Sequence, residues 1–167
     1  MAITYEPIAT TTLGTVTATV TFGSISGSYT DLVLISSVQK NVSGSGTGFS
    51  MRFNGDSATN YSNTFLEGSG SSASSYRSSN SVGLQGGALT SNANSSQFDV
   101  NINNIMNYAN SSTYKTVISR FNDNEFSYVD AVVSLWRSTA AITSITLYSA
   151  NSFAAGSTFT LYGIASA

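Results

Sequence analysis

The chain has 167 residues, six basic and eight acidic side chains, a formal net charge of −2, and neither histidine nor cysteine. Histidine is the usual proton shuttle near neutral pH, and imidazoles and thiolates are the usual ligands of zinc and iron, so this composition argues against an enzyme and against a cofactor. The six basic residues form no patch that could neutralise phosphates, which disfavours nucleic acid as a partner.

Ser, Thr and Asn account for 67 residues, so hydroxyls and amides rather than charges keep this chain in solution. Such a surface opposes association less than a charged one does, and it suits a protein that works docked in an assembly. A chain of this length can bury about 70% of its unfolded surface, which is enough for one core. We therefore expect one domain over residues 1–167.

The amino terminus predicts a protein made in a cytoplasm. Residues 1–7 have neither a basic flank nor an apolar run of signal-peptide length. No segment approaches the roughly 18 consecutive apolar residues of a membrane span, so we expect no membrane partner.

Eight segments carry apolar residues at the spacing of a β-strand, whereas the chain lacks the i, i+3, i+4 apolar stripe of a helix. They are residues 15–22, 31–38, 49–53, 98–102, 114–121, 126–136, 141–150 and 157–164. Short strands separated by Gly, Asn and Ser predict an all-β fold, a single antiparallel β-sandwich of the jelly-roll type. The side chains expected inside are Val16, Val20, Phe22, Phe98, Val100, Ile102, Val133, Leu135, Leu147 and Leu161.

Residues 67–96 differ from the rest of the chain because they are dominated by Ser, Gly and Asn. We expect a long excursion between strands, with a weak hairpin at 75–84, that becomes ordered against another subunit. The alternative is a mobile surface loop. Large apolar side chains are unusual in a free linker, so the first interpretation is favoured by Tyr76, Val82, Leu84 and Leu89.

The segment 126–136 is apolar on both sides, with Val129, Ala131, Val133 and Leu135 on one side and Tyr128, Val132 and Trp136 on the other. We expect the first side in the core and the second covered by a neighbouring subunit or by the chain's own long loop. For Trp136, core packing, a subunit interface and ligand contact all stay open. The candidate interface residues are Tyr76, Arg77, Leu84, Leu89, Tyr128, Val132 and Trp136.

No pattern among the polar residues predicts catalysis. A glycosidase needs two facing carboxylates, but most of the eight acidic residues lie beside Gly, Asn or Ser, where Asp commonly closes turns. Loops 54–60 and 122–125 offer oxygen ligands for calcium without the spacing of a calcium-binding loop. Neither Lys40 nor Lys115 lies in a motif that would activate a serine. We predict no catalytic, metal or cofactor site.

Several segments, distributed over nearly the whole chain, resemble a family of small structural proteins of tailed bacteriophages, notably those that infect cyanobacteria. They are residues 29–35, 52–73, 107–120, 135–150 and 154–164, and they include the motifs Phe-Asn-Gly-Asp at 53–56 and Leu-Trp-Arg-Ser-Thr at 135–139. The resemblance implies a virion component, either a capsid decoration (cement) protein at the capsid surface or a tail-fibre module that binds a receptor or glycan. It carries over no catalytic residue.

The length of the chain favours decoration over a fibre, because fibres are usually long and contain repeats or coiled coils. A decoration protein of this kind would bind the major capsid protein and staple its neighbouring subunits. We also expect self-association into a homo-oligomer, with a trimer favoured, since closed symmetry is the norm for such assemblies.

Overall fold

The computed structural model describes residues 4–42, 48–87, 89–92 and 96–165. Within these ranges the chain forms twelve β-strands and no helix. The strands are β1 (Tyr5–Thr12), β2 (Thr17–Phe22), β3 (Asp31–Val38), β4 (Ser50–Phe53), β5 (Tyr61–Gly68), β6 (Ala73–Ser81), β7 (Leu84–Gln85), β8 (Asp99–Met106), β9 (Lys115–Asp123), β10 (Tyr128–Trp136), β11 (Ile145–Phe153) and β12 (Thr158–Ile164).

The strands form two antiparallel sheets that pack as a β-sandwich, which confirms the predicted fold class. The larger sheet has eight strands in the order β1-β12-β3-β8-β9-β10-β5-β6, and the smaller has four in the order β2-β11-β4-β7. A meander, β8-β9-β10, and a hairpin, β5-β6, form five of the eight strands of the larger sheet. The jelly-roll connectivity stays a prediction.

The sequence patterns missed β1 and β5 and misplaced the hairpin. Its turn lies at 69–72 rather than within 75–84, where Ser69 N–H donates to the Ser72 carbonyl and Gly70 adopts a positive φ of 81°. The Ser-rich segment after it, β6, pairs with β5 along its whole length. Strand propensity depends strongly on context, so a neighbouring strand can hold a run of serines that alternation alone would leave as a loop.

The main core lies between the two sheets and consists of aromatic and branched aliphatic side chains from both. Leu34 of β3 and Leu161 of β12 meet Phe53 of β4 and Leu147 of β11 in this layer. A second, smaller cluster of Phe65, Phe121 and Val132 packs on the same inner face of the larger sheet.

The expected core was only partly right. Val20, Phe22, Leu147 and Leu161 are buried, whereas Phe98, Ile102 and Leu135 are half-buried and Val16, Val100 and Val133 are exposed. The sides of β8 and β10 are therefore reversed relative to the prediction.

Two hydrogen bonds explain how polar side chains come to lie inside. Ser119 donates to Asn103 Oδ1 at 2.8 Å, and Ser134 donates to Asn63 Oδ1 at 2.8 Å. Because β10 is apolar on both sides, alternation does not decide its inward face. β8 does alternate, but its polar residues Asp99, Asn101 and Asn103 are the buried ones. Cross-strand pairs of hydroxyls and amides satisfy one another inside, so the valines are free to face outward.

Candidate functional site

Four of the seven candidate interface residues are buried within the chain itself. Leu84 is 2% exposed, Leu89 0%, Val132 0% and Trp136 2%. Leu84, Leu89 and Trp136 belong to the main core and Val132 to the second cluster, so they cannot touch a partner in this fold. Tyr76 and Arg77 are exposed and Tyr128 is half-buried, so these three can take part in contacts.

Trp136 is a core residue. Its ring stacks on Tyr61 at a centroid distance of 6.3 Å and meets Phe53 edge-on at 5.5 Å. Its indole N–H donates to Asp56 Oδ2 at 2.7 Å. Of the three environments left open by the sequence, the structure therefore shows core packing. The cover expected over this side of β10 comes from the chain's own strands.

In the two acidic loops considered for calcium, the Asp side chains accept hydrogen bonds that close turns. Asp56 accepts hydrogen bonds from the Ala58 N–H and from the Asn60 side chain. Burial acts to raise the pKa of Asp56, but the hydrogen bonds from Asn60, Trp136 and Ala58 outweigh it and lower that pKa below its ordinary value. In the second loop, Asp123 Oδ1 accepts from the N–H groups of residues 125 and 126.

The outer face of the larger sheet is unexpectedly apolar. β8, β9, β10 and β5 turn several polar side chains inward, and several of their aliphatic side chains point to solvent instead. The exposed fraction is 45% for Ile118, 52% for Val133, 59% for Leu66 and 63% for Val129. The register places Ile102, Arg120, Ala131 and Leu66 in one row across the four strands, and Asn104, Ile118, Val133 and Thr64 in the next.

We call this surface the outer face and define it by the outward residues Val100, Ile102, Asn104, Met106, Thr116, Ile118, Arg120, Asn122, Val129, Ala131, Val133, Leu135, Ser62, Thr64, Leu66 and Gly68. Arg120 is its one charged member. Four strands about 4.8 Å apart and about seven residues long give it an area of roughly 450 Å². Nine of its sixteen residues are apolar, and the largest apolar patch on a monomeric protein, which commonly has about this size, is often functional.

A cavity of about 240 Å³ lies on the inner face of the larger sheet, beside the second cluster. We call it the acidic cavity. Its carboxylates are Glu67, Asp123 and Asp130, and its aromatic walls are Phe65, Tyr76, Phe121, Phe126 and Tyr128. Gly86 and Gly87 complete it, and a Cβ on Gly87 would lie 2.0 Å from the Phe121 ring, so only glycine lets this loop approach so closely.

The carboxylates of the acidic cavity are poorly compensated. Asp123 Oδ2 and Asp130 Oδ1 are buried and, within the described residues, have no hydrogen-bond partner. Burial, together with the nearby charges of Glu67 and Asp123, raises the pKa of Asp130 to about 6. Burial also raises the pKa of Asp123, with Asp99 and Glu125 contributing in the same direction and two backbone hydrogen bonds opposing it.

A third feature is a cleft of about 660 Å³ between β6 and the smaller sheet. Tyr76 and Tyr148 line it together with Thr19, Ser50 and Gln85. The Arg52 guanidinium lies 4.3 Å from the centroid of the Tyr148 ring, in a cation–π contact. Aromatic faces beside hydroxyls and an amide are groups that can bind a sugar.

Comparison of the chain with protein-family models, curated protein sequences and solved structures gave no match. Within the ranges that the structure describes, no helix is long and apolar enough to cross a membrane. In the same ranges, His, Cys, Asp and Glu residues form no group of three or more that could hold a metal ion.

Sequence reasoning named Tyr76 and Tyr128 but missed the acidic cavity that both of them line. Its carboxylates lie on three separate strands, so no spacing along the chain brings them together. The one available signal was the alternation of acidic and aromatic residues in β9 and β10, where Phe121, Asp123, Tyr128 and Asp130 share a side of the sheet.

Proposed function

We propose that this chain is a virion structural protein, namely a capsid decoration protein of a tailed bacteriophage. It would bind the assembled shell and staple neighbouring major capsid subunits. The observation that carries the proposal is the apolar outer face, because a solvated sheet face of this kind normally carries polar residues. The resemblance to phage structural proteins and the scarcity of charge support it.

In this role no chemical step is needed. A protein that binds the assembled shell and not its separate subunits stabilises the shell by mass action. Val129 and Val133 on the central strand β10 would be buried in the contact, with Arg120 supplying a directional hydrogen-bond donor. Self-association, with a trimer favoured, would let one decoration unit touch several capsid subunits.

The decisive experiment is the number of copies in purified particles, measured by quantitative mass spectrometry against the major capsid protein. Hundreds of copies per particle are the expected result. A few dozen copies or fewer would reject decoration and favour the tail.

A second candidate, a receptor- or glycan-binding module of a tail fibre, is favoured by the cleft that contains Tyr76 and Tyr148. If this function is correct, glycan-array binding should be detectable and should be lost in Tyr148→Ala. Low copy number together with that loss would replace the decoration proposal.

A further inference from the structure

The fold gives no evident structural reason for the burial of two carboxylates of the acidic cavity, Asp123 and Asp130. Asp130 is 7% exposed and Asp123 2%, yet each has one carboxylate oxygen without a hydrogen bond in the described part of the chain. Burying an ionised carboxylate without compensation is costly, so such groups are usually paired with a cation. Two charged groups act on Asp130, namely Glu67 and Asp123. Both are acidic, so neither can compensate the charge of Asp130.

The cavity walls indicate which kind of cation would fit. Phe65 and Tyr76 stack at a centroid distance of 4.4 Å with an interplanar angle of 11°, which presents a flat aromatic wall. Phe121, Phe126 and Tyr128 line the same space. Aromatic faces attract organic cations, and they bind a planar guanidinium both through charge and through stacking.

We propose that the acidic cavity binds a guanidinium group, held by Asp123 and Asp130 and stacked against the aromatic walls. The planar fork of a guanidinium donates two parallel hydrogen bonds to a carboxylate, and the unpartnered oxygens Asp123 Oδ2 and Asp130 Oδ1 are acceptors for such donors. Tyr76 lines the cavity and is 49% exposed, so it is accessible from solvent. This site is separate from the outer face, and the proposal does not depend on the proposed function.

The test uses the whole chain in solution and two matched probes, Nα-acetylarginine N-methylamide and its citrulline counterpart. The two probes have nearly the same shape, but citrulline carries a neutral urea in place of the guanidinium. In titrations followed by ¹⁵N–¹H NMR, we expect the arginine probe to shift the amide signals of Tyr76, Asp123, Tyr128 and Asp130. The citrulline probe should bind at least about 10-fold more weakly, since hydrogen bonds between charged partners are lost.

Two variants test the assigned contacts. Asp130→Asn removes the charge but keeps the shape, and it should weaken binding of the arginine probe by about 10-fold or more. Tyr76→Ser removes an accessible aromatic wall and should weaken binding about 3–10-fold. Glu6→Gln, on β1 at the opposite edge of the larger sheet, removes one negative charge elsewhere and should leave the affinity unchanged.

Two further titrations identify the source and exclude another cation. Methylguanidine represents a free small molecule. If it binds more weakly than the arginine probe, the natural guanidinium is a side chain presented by a protein. If it binds equally well, the natural guanidinium is a free ligand. Equal affinity for the arginine and citrulline probes, or signal shifts outside the cavity, would overturn the proposal. Binding of calcium ions at the same residues, with displacement of the arginine probe, would also overturn the proposal.

Discussion

At the scale of single residues, several polar and charged side chains of this protein are buried in its core, where such groups are uncommon. Asn63, Asn103, Ser119 and Ser134 occupy core positions of the larger sheet and satisfy one another. Lys40 is fully buried and lies 3.3 Å from the carboxylate of Glu125, and Lys115 donates to the Thr113 carbonyl at 2.7 Å. Asp123 and Asp130 of the acidic cavity differ from these residues, because each has a buried carboxylate oxygen with no hydrogen-bond partner among the described residues.

Asp130 makes stability depend on pH. Its pKa is about 6 in the folded chain, above the value of about 4 for an unfolded Asp. Below about pH 4 both states hold the proton; between about pH 4 and 6 the unfolded chain loses it while the folded chain keeps it. The free energy of unfolding should therefore fall by about 1–3 kcal/mol as pH rises through this window.

Urea denaturation at several pH values measures this effect, with Asp130→Asn as the test and Glu6→Gln as the control. The Asn variant should lose most of the dependence between pH 4 and 6 and should be more stable than the wild type at pH 7. A variant with the wild-type pH profile would show that Asp130 does not carry the effect.

Trp136→Ala should lower the free energy of unfolding by about 3–5 kcal/mol, because it removes a large buried ring together with its hydrogen bond to Asp56. The oligomeric state should not change, since the ring contacts Tyr61 and Phe53 of the same chain. Thermal denaturation and analytical ultracentrifugation measure the two quantities. Tyr114→Ala, at a 54% exposed aromatic residue, is the matched control and should have little effect on either.

At the scale of elements, we expect the sheet face composed of β8, β9, β10 and β5 to be the contact surface. Val133→Lys places a charge at its centre and should reduce association without lowering the free energy of unfolding, because Val133 is 52% exposed. Val16→Lys, at a valine 48% exposed that lies outside this face, is the matched control. Ultracentrifugation should show a weaker association for the first variant alone; equal association for both would contradict the assignment.

Alternation and turn residues were sufficient to predict an all-β sandwich, and β3 was predicted with its exact bounds, Asp31–Val38. The inward side of β10 could not be predicted, because Val129 and Val133 on one side and Val132 and Trp136 on the other are equally apolar in sequence. In β8 the alternation predicted the wrong side, since Asp99, Asn101 and Asn103 lie inside and Val100 is exposed. Side-chain hydrogen bonds between neighbouring strands of the folded sheet, such as Ser134 to Asn63, compensate the polar groups on the inward side. The complete acidic cavity could not be predicted, since Glu67 and Asp130 meet only through pairing of β5 with β10.

The excursion at 67–96 also has a structural role that its composition did not indicate. Leu84 and Leu89 fill the core between the sheets, and β6 covers the edge of β5. Deleting the whole segment would therefore remove core side chains as well as any contact surface. Its ordering against another subunit stays a prediction.

At the scale of the whole molecule, a sandwich with few charges and one apolar sheet face is suited to permanent contact with another protein surface. The two candidate sites are independent: the outer face would serve a broad contact, and the acidic cavity a single guanidinium. A homo-oligomer would bury part of the outer face and reduce the aggregation risk that an exposed valine-rich sheet carries.

The most direct test of the contact role is the occupancy of purified capsid shells by the wild type, Val133→Lys and Val16→Lys at equal concentration. Occupancy is measured by quantitative mass spectrometry of shells separated from unbound protein. The wild type and Val16→Lys should saturate the shells at hundreds of copies each, whereas Val133→Lys should bind at least about 10-fold more weakly. Absence of wild-type binding, or equal occupancy by Val133→Lys and Val16→Lys, would contradict the account.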